Sequence, residues 1–325
     1  MTPIRIRRLL LALGLCFSAL GAVAQSPSAP DAKALKFIVP FPPGSGTDTS
    51  ARYYARKVTE LTGQSVVVEN KPGANGFIAV RAVLGAPADG TTVFVGSNST
   101  LAVNAALFKQ LPYDPVADFS PLSMLMRAPA LMIAPPQLPQ ANLQEFIQAA
   151  RAKPADFSYG SGSAGYQLMA ELFNDSARTQ IMGVPFKGAS EAVTAVASGT
   201  VQLAFAEMTS AQELVKSGRI RALAVASDKR SGVLPQVPTA SEAGLPGFTA
   251  YSWVAAAVNS RTPKEETDKL AALFTRIANL PETRDFYERI GAEVMRGGPQ
   301  EMRAFQQDEI RLWKRIAAQA KVEQQ

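Results

Sequence analysis

The sequence predicts an α/β protein built from two sheet-and-helix units. Three observations carry this reading. Strand-like apolar runs alternate with amphipathic helical stretches from Lys36 to Val95. The alternation resumes after residue 125 and continues to Ala226. The last 75 residues break the pattern and hold helices that begin at prolines. Alternating strands and helices argue for parallel sheets covered by helices.

In the first unit, Lys36 to Val39 reads as a buried strand stopped by Pro40. A loop follows through Phe41-Pro-Pro-Gly44-Ser45-Gly46-Thr47-Asp48. Ser50 to Leu61 reads as a helix, because Ala51, Tyr54, Ala55, Val58 and Leu61 recur at helical spacing. Val66 to Val68 is the next strand, Phe77 to Leu84 an apolar helix, and Thr92 to Val95 a third strand.

In the second unit, Leu131 to Ala134 is a strand ended by Pro135 and Pro136. Asn142 with Glu145 three residues on has the pattern of a capping box. Phe157 to Tyr159 is a strand, followed by Ser161-Gly162-Ser163-Ala164-Gly165 and a helix through Phe173. Strands at Ile181 to Phe186, Val201 to Phe205 and Ala222 to Ala226 enclose helices near Ala189 to Ala197 and Gln212 to Lys216. Phe248 to Val258 then reads as a long strand. Thr262-Pro263-Lys264-Glu265 has the look of a helix start with a threonine cap and proline in first position. Pro281 and Pro299 open two further helices, the last with Phe305, Leu312, Trp313 and Ile316 as its packed face.

Composition narrows the chemistry. The chain has 325 residues, 47% apolar and 18% charged, which suits a packed core and excludes intrinsic disorder. It has no histidine, so a Ser-His-Asp triad, a Cys-His dyad and an HExxH zinc site are all excluded. Its one cysteine, Cys16, excludes an intrachain disulfide and a thiolate metal cluster. No metal and no cofactor is expected.

Residues 1–24 read as a secretory leader, and 25–35 as a linker. Arg5, Arg7 and Arg8 form a basic start, Leu9 to Leu20 a short apolar stretch, and Ala22-Val23-Ala24 a cleavage pattern. Cleavage is expected between Ala24 and Gln25, with delivery to the periplasm and loss of Cys16. Without the three leader arginines the balance is 30 basic to 27 acidic residues, a net +3. Such a weak, scattered excess is no footprint for nucleic acid.

Two loops of one design stand out. Gly44, Ser45, Gly46, Thr47 and Asp48 precede the first helix, and Ser161, Gly162, Ser163, Ala164 and Gly165 precede a helix of the second unit. Each offers small residues, hydroxyls and free N–H groups at a helix N-terminus, a place suited to an anion. In an open α/β sheet such loops lie at the carboxyl ends of the strands, where ligands bind. The bland alternative is a pair of tight turns, with Thr47 or Asp48 serving only as a cap. Ser97 and Asn98, with Ser99 and Thr100, follow a strand and either line a cleft or form a turn. Lys187 either offers a cation to a carboxylate or is a solvated side chain at a strand end. Tyr166, Tyr251 and Trp253 are candidates for stacking on a ligand or for the core.

These loops sit among stretches that together resemble the Bug/TctC family of periplasmic solute-binding proteins. The stretches are FIVPFPPGSGTD (37–48), VVVENKPGANG (66–76), ADGTTVFVGSNST (88–100), LPYDPVADFSPL (111–122), VPFKGASEAV (184–193), SGRIRALAVASDKRS (217–231) and LPQVPTASEAGLPGF (234–248). The resemblance implies a two-lobed type II periplasmic-binding-protein fold with the ligand cleft between lobes. It places residues 36–125 and 250–325 in lobe 1 and 126–249 in lobe 2. It also implies that the two loops hold a ligand carboxylate. The chain is then expected to capture a small organic carboxylate for the permease subunits of a tripartite tricarboxylate transporter, as a monomer. The alternative partner is a membrane sensor, to which the same protein would present its ligand. An enzyme is the reading least in keeping with a chain lacking histidine.

Several positions depart from the family's usual pattern, among them Phe186 where a tyrosine is usual and Gln167 where a histidine is common. Ser45 stands where a second glycine is usual, Gly183 where a histidine is common, and Ala206 where an aspartate follows the phenylalanine. The second loop is also about two residues short before Tyr166. These departures leave the first loop's clamp intact and bear on the distal pocket, which discriminates ligands.

Overall fold

The computed structural model describes residues 33–324. The expected leader and its cleavage site lie outside the described residues. Residues from Ala34 onward form one compact unit.

Chain order begins with β1 (Leu35–Val39), α1 (Gly46–Thr62), β2 (Val66–Asn70), α2 (Phe77–Leu84) and β3 (Thr92–Ser97). A π-helical turn, Ser99–Val103, leads into α3 (Asn104–Leu107). There follow β4 (Phe119–Pro129), β5 (Leu131–Ala134), α4 (Leu143–Ala152), β6 (Ser158–Ser161), α5 (Ala164–Ala177), β7 (Met182–Pro185), α6 (Ala189–Ala197), β8 (Leu203–Ala206), α7 (Met208–Lys216) and β9 (Arg221–Val225). The chain closes with β10 (Tyr251–Asn259), α8 (Lys264–Ala278), α9 (Pro281–Arg289), β11 (Glu293–Val294) and α10 (Pro299–Gln319).

The strands form two sheets. One has the order β11-β4-β10-β3-β1-β2, the other β7-β6-β8-β5-β9. Each has a parallel half, as the alternation predicts: β2-β1-β3 in the first and β7-β6-β8 in the second. Each also has an antiparallel half, which it does not predict. β10 pairs antiparallel with both β3 and β4, and β5 pairs antiparallel with both β8 and β9. Along β10, Ala255, Ala256 and Ala257 are fully buried small residues.

β4 passes the chain to β5 through the single residue Ala130, and the chain comes back to β10 at Ala250. Backbone bonds fasten this crossing. The Ala130 N–H donates to the Ala250 carbonyl at 2.9 Å, the Ala226 N–H to the Ala130 carbonyl at 2.8 Å, and the Ala250 N–H to the Ala226 carbonyl at 3.0 Å.

The apolar faces explain the layering. α1 and α8 cover one face of the first sheet, where Tyr54 stacks on Phe274 at 5.3 Å between ring centroids. Burying a ring the size of Phe274 contributes about 2–3 kcal/mol. A second cluster runs from Phe94 and Phe119 past Trp313 to Phe173 and Phe205. α10 belongs to that cluster and packs on β4, α3 and α5, so the C-terminal helix touches elements associated with both sheets. Gln306 on α10 is buried and its Nε2 donates to the carbonyls of Leu101 at 2.9 Å and Pro115 at 2.7 Å.

Three helix starts differ from the sequence expectation, and one of them is α7, which begins at Met208 rather than near Gln212. α1 begins at Gly46 rather than Ser50, because Ser45 is a cap with extended backbone whose Oγ accepts from the Asp48 N–H at 3.2 Å. α8 begins at Lys264, and its cap is Pro263 rather than Thr262. Pro281 and Pro299 stand in the first turn of their helices, as expected.

Candidate functional site

The first loop is organised from within. Gly44 holds a left-handed φ of +83°, and its N–H donates to Asp48 Oδ2 at 3.0 Å. Asp48 is buried, pairs with Arg52 at 3.0 Å and accepts from Asn70 Nδ2 at 2.8 Å. Its carboxylate therefore braces the loop. Ser45 and Thr47 are buried and turn toward the interior.

The second loop repeats the design. Ser163 caps α5, with its Oγ accepting from the Tyr166 N–H at 3.4 Å. Gly162 lies against backbone: a Cβ there would sit 2.3 Å from the Gly188 carbonyl carbon and 2.4 Å from the Ala189 nitrogen. No residue larger than glycine fits without moving α6.

The two helix N-termini meet side chains from the opposite sheet. The Gly46 N–H donates to Glu207 Oε2 at 2.7 Å, and Glu207 stands directly after β8. The Gly165 N–H donates to Ser99 Oγ at 3.0 Å, and Ser99 opens the turn after β3. Each contact satisfies a first-turn N–H that has no partner within its own helix. Glu207 is the cap residue of α7 yet makes no side-chain cap to it, because its carboxylate reaches across to α1 instead.

Between the loops lies a buried cavity of about 20 Å³. A water needs roughly 10–15 Å³, so there is room for one. Ser45, Thr47, Ser97 and Asn98 line it from the first sheet, and Gly162, Ser163 and Tyr166 from the second. Ser252 on β10 and Glu207 complete the polar wall. Three of these groups, Asn98 Nδ2, Tyr166 Oη and Ser252 Oγ, are buried without a hydrogen-bond partner. The Tyr166 hydroxyl closes on Glu207 and Ser252 but makes no hydrogen bond of acceptable geometry with either. Among the described residues, Glu207 is the one charged residue that lines the cavity.

Burial pushes the Glu207 carboxyl above its usual range, offset in part by the Gly46 N–H and by Tyr166. Burial by itself disfavours the charged form, while a helix N-terminus favours it. The Tyr166 hydroxyl is also pushed well up, chiefly by burial and then by the charge of Glu207.

Not every expected site residue lines this cavity. Gly44 is exposed, Asp48 braces the loop, and Ser161 ends β6 with its carbonyl accepting from the Phe186 N–H at 2.8 Å. Ala164 and Gly165 are buried in the first turn of α5, and a Cβ on Gly165 would come within 2.9 Å of Asn98 Nδ2. Lys187 is exposed in an adjoining groove of about 370 Å³, which shares Phe41, Gly162 and Ser163 with the cavity. Trp253 is core, donating from its indole to Glu309 at 2.7 Å, and Tyr251 lies under the Arg127 guanidinium, 5.2 Å from its ring centroid. A broader depression of about 770 Å³ beside Arg151, Glu171 and Arg178 lies away from both loops. Among the described residues, no group of three or more His, Cys, Asp or Glu is placed to hold a metal ion. No helix among them is long and apolar enough to cross a membrane.

A family profile described as the tripartite tricarboxylate transporter family receptor matches residues 50–322. The chain belongs to that family. This receptor is 34% identical to Protein BugT of Bordetella pertussis over 94% of its own length and 95% of that protein's. Among solved structures it resembles R. palustris Rpa4515 with adipate, at 32% identity and a TM-score of 0.86, covering 90% of this chain and 98% of that one. It also resembles MatC from Rhodopseudomonas palustris with bound malate, at 31% identity and a TM-score of 0.81, covering 87% and 98%. The periplasmic binding protein BugD matches with a TM-score of 0.84 at 27% identity, covering 91% of this chain and all of that one (100%). The receptor thus has the two-lobed α/β fold of periplasmic binding proteins.

Sequence reasoning missed Glu207 and treated Ser252 as ordinary strand. The signal for Glu207 was slight. It follows Phe205-Ala206 at the carboxyl end of a strand, where ligands gather.

Proposed function

We propose that this receptor captures a small organic carboxylate in the periplasm and passes it to the membrane permease subunits of a tripartite tricarboxylate transporter. It does so as a monomer, after a leader ending at Ala24 is removed. Lobe 1 comprises residues 36–125 and 250–325, lobe 2 residues 126–249, and ligand enters when the two part. One observation carries the reading. Two helix N-termini, one from each sheet, meet beside a buried polar cavity, and the first-turn N–H groups of Gly46 and Gly165 are held there by oxygen acceptors from the opposite sheet, where a ligand carboxylate would take their place. Helix N-termini and hydroxyls neutralise a carboxylate without a basic side chain. The adipate and malate held by the two R. palustris relatives support the ligand class.

A cavity of about 20 Å³ is too small for either acid, so the loops separate on binding. The test is thermal unfolding of the purified protein against a panel of small carboxylates and their neutral amides. A ligand at about 100 times its Kd adds about 2.7 kcal/mol to the native state. Stabilisation by an acid and not by its amide supports the clamp. Silence across the whole panel of acids overturns it.

A further inference from the structure

We propose that Glu207 is a specificity-determining residue: its carboxylate holds the Gly46 N–H in the ligand's place, so that an acid binds this cleft only together with one proton. The inference rests on the proposed carboxylate function and deepens it.

The geometry supplies the argument. Glu207 Oε2 lies 2.7 Å from the Gly46 nitrogen, at the positive end of α1, in the position a captured carboxylate would take. A Cβ on Gly46 would stand 2.9 Å from both Cδ and Oε2 of Glu207, so the side chain is in close contact with the loop, and the cavity of about 20 Å³ beside it is too small for a second carboxylate. Asn98 Nδ2 is buried in the same cavity without a partner, while the Tyr166 hydroxyl closes on Glu207 and Ser252 without a hydrogen bond of acceptable geometry. The Asn98 amide is thus the donor that the resident carboxylate leaves unserved.

Charge governs ligand entry. α1 presents the Gly46 N–H to Glu207, and Asp48 two residues on is turned away to Gly44, Arg52 and Asn70. α5 presents Tyr166, β4 the Met126 methyl near Gly46, and β10 Ser252. On α7 itself the charged residues, Glu213 and Lys216, pair with each other at 3.3 Å near the far end. No cation therefore faces Glu207 among the described residues. Two carboxylates in contact at one site do not both stay ionised. On ligand entry a proton from solvent goes to Glu207, which then donates an O–H hydrogen bond to the ligand carboxylate instead of repelling it.

The experiment compares wild type with Glu207→Gln, using adipate, malate and a panel of other small acids from about pH 5.5 to 8.5. The expected result is an acid that binds wild type about tenfold more weakly for each pH unit above the ionisation of Glu207. Glu207→Gln then binds that acid with a flat pH profile and at least about tenfold more tightly at about pH 8.5. A second measurement needs no variant: calorimetry of wild type in buffers of different ionisation enthalpy across the same pH range, where net proton uptake per acid bound appears once pH exceeds the ionisation of Glu207. Equal affinity and equal pH slope in the two proteins, or no proton uptake, overturn the inference and leave the carboxylate reading standing. If neither protein binds any acid at any pH, both fail together, since the variant has lost the resident charge and is still silent.

Discussion

The Gly46 N–H and the Glu207 carboxylate are 161 residues apart in the chain and 2.7 Å apart in space. The bond ties the first helix of one sheet to the segment after a central strand of the other. Its counterpart runs in the opposite sense, from the Gly165 N–H to Ser99 Oγ at 3.0 Å. Each sheet thus lends one side chain to the helix N-terminus of its neighbour.

Ser99→Ala removes one of these ties and leaves the buried Gly165 N–H without an acceptor. The expected loss is about 1–3 kcal/mol in urea unfolding, with the slope unchanged. A variant as stable as wild type would mean that the Gly165 N–H finds another acceptor.

Gly162 and Gly44 give opposite reasons for being glycine. A Cβ at Gly162 would collide with the Gly188 and Ala189 backbone at 2.3 and 2.4 Å, so Gly162→Ala costs more than about 2 kcal/mol. Gly44 meets nothing within 4 Å, and only its φ of +83° opposes a side chain, so Gly44→Ala costs about 1 kcal/mol. Melting temperatures of the pair rank them, and the reverse order would count against the packing of Gly162 on α6.

Glu207 makes stability depend on pH. Its carboxyl is raised by burial above its usual value of 4.5, so the folded state holds the proton more tightly than the unfolded chain. The stability it contributes is full below 4.5 and is lost as pH climbs through the raised value. Glu207→Gln has no such loss. The gap in melting temperature between variant and wild type should therefore widen in the variant's favour as pH rises, and a constant gap would show that burial does not control this carboxyl.

Glu309 accepts from both tryptophans, Trp253 Nε1 at 2.7 Å and Trp313 Nε1 at 2.9 Å. The sequence has just these two tryptophans, so emission reports this one junction between β10 and α10. Glu309→Ala strands two indole N–H groups at a cost of about 2–4 kcal/mol, and Glu309→Gln, which keeps an acceptor, about 1 kcal/mol. Urea unfolding followed by tryptophan emission measures both, and equal losses would contradict the hydrogen-bond account.

The parallel halves of both sheets were legible because buried strands such as Phe37 to Val39 end at proline or glycine and are followed by helical spacing. β4 was not legible as a strand over Phe119–Pro129. It carries Pro121, which cannot donate to a ladder, and the pairing shifts register between Ala256 and Ala257, next to its partner there. Ser97 to Thr100 read as a loop or turn, since the hydroxyls that organise it bond locally: Ser97 Oγ accepts from the Ser99 N–H and Thr100 Oγ1 from the Ser97 N–H, both at 3.2 Å. The two Gly/Ser loops stood out by composition. Glu207 did not, because a glutamate opening a helix is commonplace, and only the approach of two distant segments gives it a partner.

Ala130, Ala226 and Ala250 carry the smallest side chain that L-residues have, and they are bonded to one another through backbone alone. At this crossing no bulky side chain stands between the three segments, whereas α10 packs on elements of both sheets. Any separation of the two sheets would part Gly46 from Glu207 and Gly165 from Ser99 together, because both bonds run between them. One pair of distance labels across the two sheets would then report both separations at once.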